Sequence, residues 1–299
     1  MKRLLVTGAS GMAGSEVSDR APRAGWAVFA YSRAMLDVTN ATAVEAAVRA
    51  SRPDVIMNCA AYTAVDRAES EPGQAAAVNT TGARNVANAA AAAGVPIVHI
   101  STDYIFGGDG RVPYTPETPP SPLGVYGVTK LAGETAIREE AAHHAIIRTS
   151  WVFSHRGHNF VRTILRLAAE RDELRVVNDQ IGRPTSAADL ADGLLIVADA
   201  VARDRKLGGT YHFANAGEAS WLEFAQAILD ELGIRGESRI RRLVPITTSE
   251  YPTPAQRPAY SVLDTTSFEA RFGMSPRPWR DALHDTMDLS LLETPTAKA

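Results

Sequence analysis

The chain has 299 residues, 45% of them apolar and 22% charged, with a formal net charge of -3. At roughly 100–200 residues per domain this is one large domain or two closely joined ones. No excess of positive charge points to nucleic acid or an anionic membrane; the single cysteine, Cys59, excludes an internal disulfide framework or Cys-rich metal site. No apolar run approaches the roughly 18 residues of a membrane span, and no signal peptide is recognisable, so a cytoplasmic protein is expected.

Along the first half, short apolar runs alternate with helical stretches. Strands are expected at 3–6, 27–31, 54–58, 97–101 and 145–150. Helices are expected at 11–24, from the cap Asn40 to 51, from Pro72 through an alanine-rich run to 93, and at 123–140. Near-continuous apolar strands alternating with helices predict an α/β fold of Rossmann type, a doubly wound parallel sheet covered on both faces. The second half is mixed, with helices at 159–171, 187–202 and from Ser220 to 232, a strand at 210–214, and a proline-rich stretch at 244–258. A small mixed substrate domain laid against the sheet is expected. The division is 1–155 plus about 187–216 for the dinucleotide unit, and about 156–186 and 217–299 for the substrate unit. The end of the chain, 291–299, reads as frayed.

Thr7-Gly8-Ala9-Ser10-Gly11-Met12-Ala13-Gly14 follows the first strand and opens the first helix. Its glycines allow a tight turn, backbone approach to a pyrophosphate and close helix–strand packing, while the helix N-terminus offers free amides. Gly8, Ser10, Gly11, Met12 and Gly14 are therefore cofactor-binding candidates. Glycines at i, i+3 and i+6 are similar to the short-chain dehydrogenase/reductase superfamily. At the end of the second strand the chain has Tyr31-Ser32-Arg33 rather than an acid. Arg33 can pair with a 2′-phosphate while Ser32 donates a bond, which favours NADPH over NADH. Asp37 and Val38 are placed to border the adenine.

Tyr126 and Lys130 stand four apart at the start of a helix, so their side chains share one face. A free tyrosine titrates near 10, and a nearby ammonium is expected to lower that value, leaving the phenol able to protonate a carbonyl oxygen. Thr102, at the carboxyl end of a central strand, is the expected hydroxyl that stabilises the developing oxyanion. Only four of the 31 basic residues are lysines, at positions 2, 130, 206 and 298, and 50 residues are alanine. A GC-rich genome explains that bias, and it makes a lysine kept inside the fold informative.

With these segments stand Asn58-Cys-Ala-Ala-Tyr62-Thr-Ala-Val-Asp66-Arg-Ala-Glu69, Val78-Asn79, Ser101-Thr-Asp-Tyr104-Ile-Phe106, Arg148-Thr-Ser-Trp151-Val-Phe153, Gln180-Ile-Gly-Arg-Pro184-Thr185 and Arg257-Pro-Ala-Tyr-Ser261-Val-Leu-Asp264. Together they resemble the dTDP-4-dehydrorhamnose reductase family over most of the chain. The resemblance implies reduction of the 4-keto group of a dTDP-linked 6-deoxyhexose with NAD(P)H. It implies catalytic roles for Thr102, Tyr126 and Lys130, and cofactor contacts for Ala60, Ala61, Tyr62 and Asn79. It places Val65, Asp103, Tyr104, Phe106 and Trp151 against the sugar; Arg257 is a candidate for the diphosphate, or else an ion-pair partner in the C-terminal domain. Related dehydratases carry an acid directly after Thr-Asp; Tyr104 stands there instead. Some reductases of this branch hold Mg²⁺ at a dimer contact, near positions matching Glu16 and Asp189, but the acidic pattern is incomplete and no metal is expected. A homodimer is compatible with the resemblance. Two further readings stay open: a reductase of another dTDP-4-keto sugar, of the dihydrostreptose type, and a non-catalytic NADP-binding regulatory subunit.

Overall fold

A computed structural model describes residues 1–234 and 239–292. Six strands form one all-parallel sheet: β1 (Lys2–Thr7), β2 (Trp26–Tyr31), β3 (Val55–Asn58), β4 (Ile97–Thr102), β5 (His144–Thr149) and β6 (Gly209–His212), in the order β6-β5-β4-β3-β1-β2. The chain thus winds outward from β1 to β2, then crosses back over β1 to β3. The resulting switch point lies between the carboxyl ends of β1 and β3, where open parallel sheets bind ligands.

Five helices flank this sheet or close it: α1 (Met12–Arg20), α2 (Ala41–Ser51), α3 (Ala83–Ala93), α4 (Val125–Glu140) and, later in the chain, Ala187–Arg203. Leu4, Val6, Met57, Val98 and Ile147 pack against α1 and the 187–203 helix on one face. Leu5, Ile56, Ile97 and Ile146 pack against α2, α3 and α4 on the other. Strands buried on both faces need unbroken apolar runs, which is why those runs were readable. Local chemistry sets the ends. Asn40 accepts from the Ala43 amide at the start of α2, and α3 stops at Gly94 in the left-handed region at φ +66°. The first helix ends at Arg20, short of the expected residue 24, because Pro22 cannot continue it.

The expected long helix from Pro72 to Ala93 is interrupted. Pro72–Ala76 passes into a π-helical turn, Ala77–Gly82, before α3 begins. Gly133 of α4 is pressed against that turn: a Cβ there would lie 2.2 Å from the Asn79 carbonyl oxygen. The widened turn and the missing side chain let the two helices touch backbone to backbone.

A second core is built by Phe153, Val161, Ile164, Leu174, Phe224, Ile228, Trp279 and Leu283. Its helices are α5 (Phe160–Glu170), α7 (Trp221–Ile234) and α8 (Trp279–Leu292), with Ala187–Arg203 as α6 between them in sequence. Glu173–Val177 pairs in parallel with Arg242–Ile246 beside it. Residues 293–299 of the segment expected to fray lie outside the described residues, while 291 and 292 close α8. Among the described residues, no helix is long and apolar enough to cross a membrane.

Candidate active site

A cavity of about 540 Å³ opens at the carboxyl edge of the sheet, within the usual size of a small-molecule site. Its floor begins at the glycine loop. Gly8 sits at φ +64°, and a Cβ there would lie 2.7 Å from the backbone of Ala60, so the loops after β1 and β3 pack in direct backbone contact. Ser10, Gly11, Met12, Ala13 and Gly14 line the same end. Gly11 precedes α1 with no side-chain cap and no acid in the first turn, which leaves the helix's first amides directed at the cavity.

Arg33, Asp37 and Val38 border this end. Asp37 accepts from the Thr39 amide and hydroxyl at 3.0 and 2.8 Å, which holds its carboxyl below the usual range and fixes the loop around Arg33. Ser32 is a correction: it is not on the cavity wall, and its carbonyl instead closes the turn by accepting from Met35 and Leu36.

The middle of the wall carries Ala60, Ala61, Tyr62, Val65, Thr102, Asp103, Tyr104, Tyr126, Lys130 and Trp151. Asn79 is a second correction. It is buried in the π-helical turn, where its amide oxygen accepts from the Tyr62 N–H at 2.8 Å and its nitrogen donates to the Tyr62 carbonyl at 3.2 Å and to Thr129. It shapes the wall from behind rather than lining it, a role that a π turn beside a functional site commonly serves.

Phe106 is a third correction. It is fully buried, stacked on Tyr114 at 4.4 Å and edge-on to His212. Residues 103–105 form a 3₁₀ turn, and Phe106 emerges from it on the core side. Arg257, the candidate for the diphosphate, lies outside the cavity wall. It donates to Asp66 at 2.8 Å, and that pair joins the loop after β3 to the last third of the chain. Arg257 also hydrogen-bonds Tyr104 of the wall, so it stands directly behind the cavity, and its ion pair reaches the first part of the chain instead of staying within the C-terminal domain.

Tyr126 and Lys130 lie on the first turns of α4. Gly124 offers no side-chain cap; instead Glu69, 56 residues upstream, accepts from the Val125 N–H at 2.9 Å. Tyr104 packs edge-on to Tyr126 at 5.5 Å. Burial pushes the Tyr126 phenol up to about 12, with a side-chain hydrogen bond to Thr102 opposing the rise. The expected lowering by Lys130 is thus corrected. Desolvation dominates, and one N–H of the ammonium is given to the Ile100 carbonyl at 2.6 Å while Lys130 still lines the cavity. Lys130 itself is only 2% exposed and is brought down to about 8 by burial, against the pull of Glu134 and Cys59. Glu134, wholly buried, is bidentate with Arg148 at 2.9 Å and held near 2.

Asp103 is buried and raised to about 6 by desolvation, opposed by bonds from Ser261 and Thr102. The Thr102 hydroxyl donates to one of its carboxylate oxygens at 3.0 Å, while the other has no protein partner.

Trp221 belongs to the cavity but was not anticipated. It opens α7 on the second core and stacks face to face on Trp151 at 3.6 Å and 6°. Trp151 itself has φ +46°, unusual for a non-glycine residue and a local strain of about 1–3 kcal/mol. Only four tryptophans exist, so one placed just after a helix-capping serine was the available signal. Glu16 and Asp189 are engaged by arginines: Arg20 donates to Glu16 at 3.1 Å, and Arg277 to Asp189 at 2.9 Å.

The family model described as the RmlD substrate binding domain matches residues 1–291. A dTDP-4-dehydrorhamnose reductase of Streptomyces griseus is 44% identical, with 95% of this chain and 92% of that protein covered. One of Sinorhizobium fredii is 41% identical over 97% of this chain and 98% of its own length. The structure of dTDP-4-dehydrorhamnose reductase from Bacillus anthracis in complex with NADP superposes with a TM-score of 0.89 at 36% identity, covering 96% of this chain and 99% of that one. Matched by the family model over residues 1–291 and in fold over nearly its whole length, the chain belongs to the RmlD family.

Proposed function

We propose that the protein reduces the 4-keto group of a dTDP-linked 4-keto-6-deoxyhexose with NADPH, converting dTDP-4-dehydrorhamnose to dTDP-L-rhamnose. The observation that carries this reading is the convergence of Thr102, Tyr126 and Lys130 on one cavity whose far end is the uncapped start of α1. Relatives of 41% and 44% identity bear the name of that reductase, and the B. anthracis structure holds NADP.

The residues present fit the dinucleotide. The free amides around Met12 and the small residues of the glycine loop suit a pyrophosphate, and Arg33 at the rim suits a 2′-phosphate. NADPH, when bound, supplies the hydride. Tyr126 delivers its phenolic proton to the sugar's C4 oxygen as negative charge builds there. A phenol near 12 is fully protonated at neutral pH, as a proton donor must be. Thr102, within hydrogen-bonding reach of Tyr126, turns the O–H it gives Asp103 in the free protein toward the same oxygen, and Lys130 holds the nicotinamide ribose. Asp103, Val65, Tyr104 and Trp151, all on the cavity wall, enclose the sugar.

On this reading, 1–155 with about 187–216 forms the NADP-binding unit, and about 156–186 with 217–299 holds the nucleotide sugar. A cytoplasmic homodimer without nucleic-acid or membrane partners completes the proposal. The test is consumption of NADPH with a panel of dTDP-4-keto-6-deoxyhexoses, with the product identified by NMR. Turnover to dTDP-L-rhamnose is expected; tight NADPH binding with no turnover of any of them overturns the reading. Tyr126→Phe should cost about 100-fold or more in kcat, the usual worth of a placed proton donor, with NADPH affinity preserved.

A further inference from the structure

Thr7, Asn58 and His99 stand side by side in the sheet. Thr7 pairs with Asn58 between β1 and β3, and Asn58 with His99 between β3 and β4. Residues in register on parallel strands face the same way, so the three polar side chains form one row, each at most 2% exposed. The row is bonded end to end. The Thr7 hydroxyl donates to Asn58 Oδ1 at 2.6 Å, Asn58 Nδ2 lies 3.0 Å from His99 Nδ1, and His99 Nε2 lies 3.5 Å from Lys130 Nζ.

The donors settle where the protons are. The Ala60 N–H, which can only donate, also reaches Asn58 Oδ1 at 3.3 Å and marks that atom as the oxygen. The amide nitrogen can only donate, hence His99 Nδ1 accepts and the neutral ring carries its proton on Nε2. Burial and the charge of Lys130 keep the ring from taking a second proton. An imidazole N–H therefore faces an ammonium, and two donors cannot bond. The ammonium's sheet-side acceptor is the Ile100 carbonyl, at 2.6 Å. The other ionisable groups bearing on Lys130 are Cys59, in the loop after β3, and Glu134, one turn on along α4. Arg138 and Arg148 already engage Glu134.

We propose that His99 is a positioning residue for Lys130: the Thr7–Asn58–His99 row sets a fixed N–H behind the lysine, denies the ammonium a second partner in the core and directs it to the cavity. The proposal rests on the reading of Lys130 as the residue that holds the cofactor. His99→Gln tests it, because a glutamine can turn an amide oxygen toward the ammonium and draw it inward. The variant should lower kcat about tenfold or more, as loss of a group supporting a site residue commonly does. It should also weaken NADPH binding, and the alkaline limb of both quantities should move to higher pH.

A second measurement uses the unaltered folded protein. The His99 ring resonances, assigned through bonds from the backbone in ¹⁵N–¹H correlation spectra, should show a neutral ring protonated at Nε2 at neutral pH. A folded His99→Gln protein with unchanged kcat, NADPH affinity and pH limbs overturns the proposal. So does an Nδ1–H or doubly protonated ring, and the ring measurement decides alone if the variant does not fold. If the unaltered protein turns over no keto-sugar, the enzymatic reading fails, while the ring state and the pH limb of NADPH binding still decide this one.

Discussion

Lys130 reaches the cavity from a socket made by the Ile100 carbonyl, His99 and Cys59. The socket admits a compact ammonium on a flexible stem; the broad planar fork of an arginine does not fit it. Lys130→Arg, which keeps the charge, should therefore lower kcat/KM about 100-fold or more, measured as NADPH consumption at limiting sugar nucleotide. The lysine titrates near 8, well below its ordinary 10.5. As pH rises through about 8 the folded protein loses this charge, so NADPH affinity should fall over that window, followed by titration calorimetry or fluorescence. Stability moves the other way on this group's account. Between about 8 and 10.5 the unfolded chain binds the proton and the folded chain does not, so unfolding becomes less favourable with pH. A Tm that collapses together with affinity would trace the loss to unfolding instead. Much at this scale was readable in the chain, because a Tyr-x-x-x-Lys spacing on a helix leaves little freedom. Phe106 was misplaced because a motif tells which residues are near a site, not to which side of a turn each one points.

The helix that carries both residues is seated from outside. Glu69 supplies the acceptor that Gly124 lacks, and it does so for the amide directly before Tyr126. Glu69→Ala should cost about 1 kcal/mol, the usual worth of a lost cap, read as a lower midpoint in urea. It should also reduce kcat more than NADPH affinity; equal wild-type kcat in a destabilised variant would show that the cap is structural only. Glu69→Gln, which keeps an acceptor, should restore most of both. No local signal in the sequence announces this bond, since its partners are 56 residues apart. The π turn at 77–82 differs: Val78, Asn79, Thr80, Thr81 and Gly82 are weak helix formers, a local sign of interruption, but the contact between Gly133 and the Asn79 carbonyl that goes with the widening is not local. Strands were easier, because burial on both faces writes itself into a continuous apolar run.

Across the whole molecule, the cavity joins the sheet to the second core. Trp151 follows β5, Trp221 opens α7, and their stacked rings link the edge that bears the proton donor to a cluster containing Phe160, Phe224 and Trp279. Trp221→Leu should raise KM for the sugar nucleotide about tenfold, an aromatic contact's worth of about 1–1.5 kcal/mol, and leave KM for NADPH nearly unchanged. Equal changes in both would place Trp221 outside the sugar's enclosure. This long-range pairing was beyond the reach of a sequence reading, which had assigned Trp151 alone.

The buried row of Thr7, Asn58 and His99 has a consequence for assembly. Parallel strands with apolar side chains on both faces carry little to distinguish one alignment from the next, since a slipped strand still presents valine and isoleucine. The polar row removes that degeneracy. Slipping β3 by one residue would turn Asn58 to the opposite face and strand its amide among aliphatic neighbours. The hydroxyl and imidazole on either side would also lose their partners, at about 1–3 kcal/mol for each unsatisfied group. The three residues thus act as a registration mark, by which the strands that frame the cavity are proofread as the sheet closes.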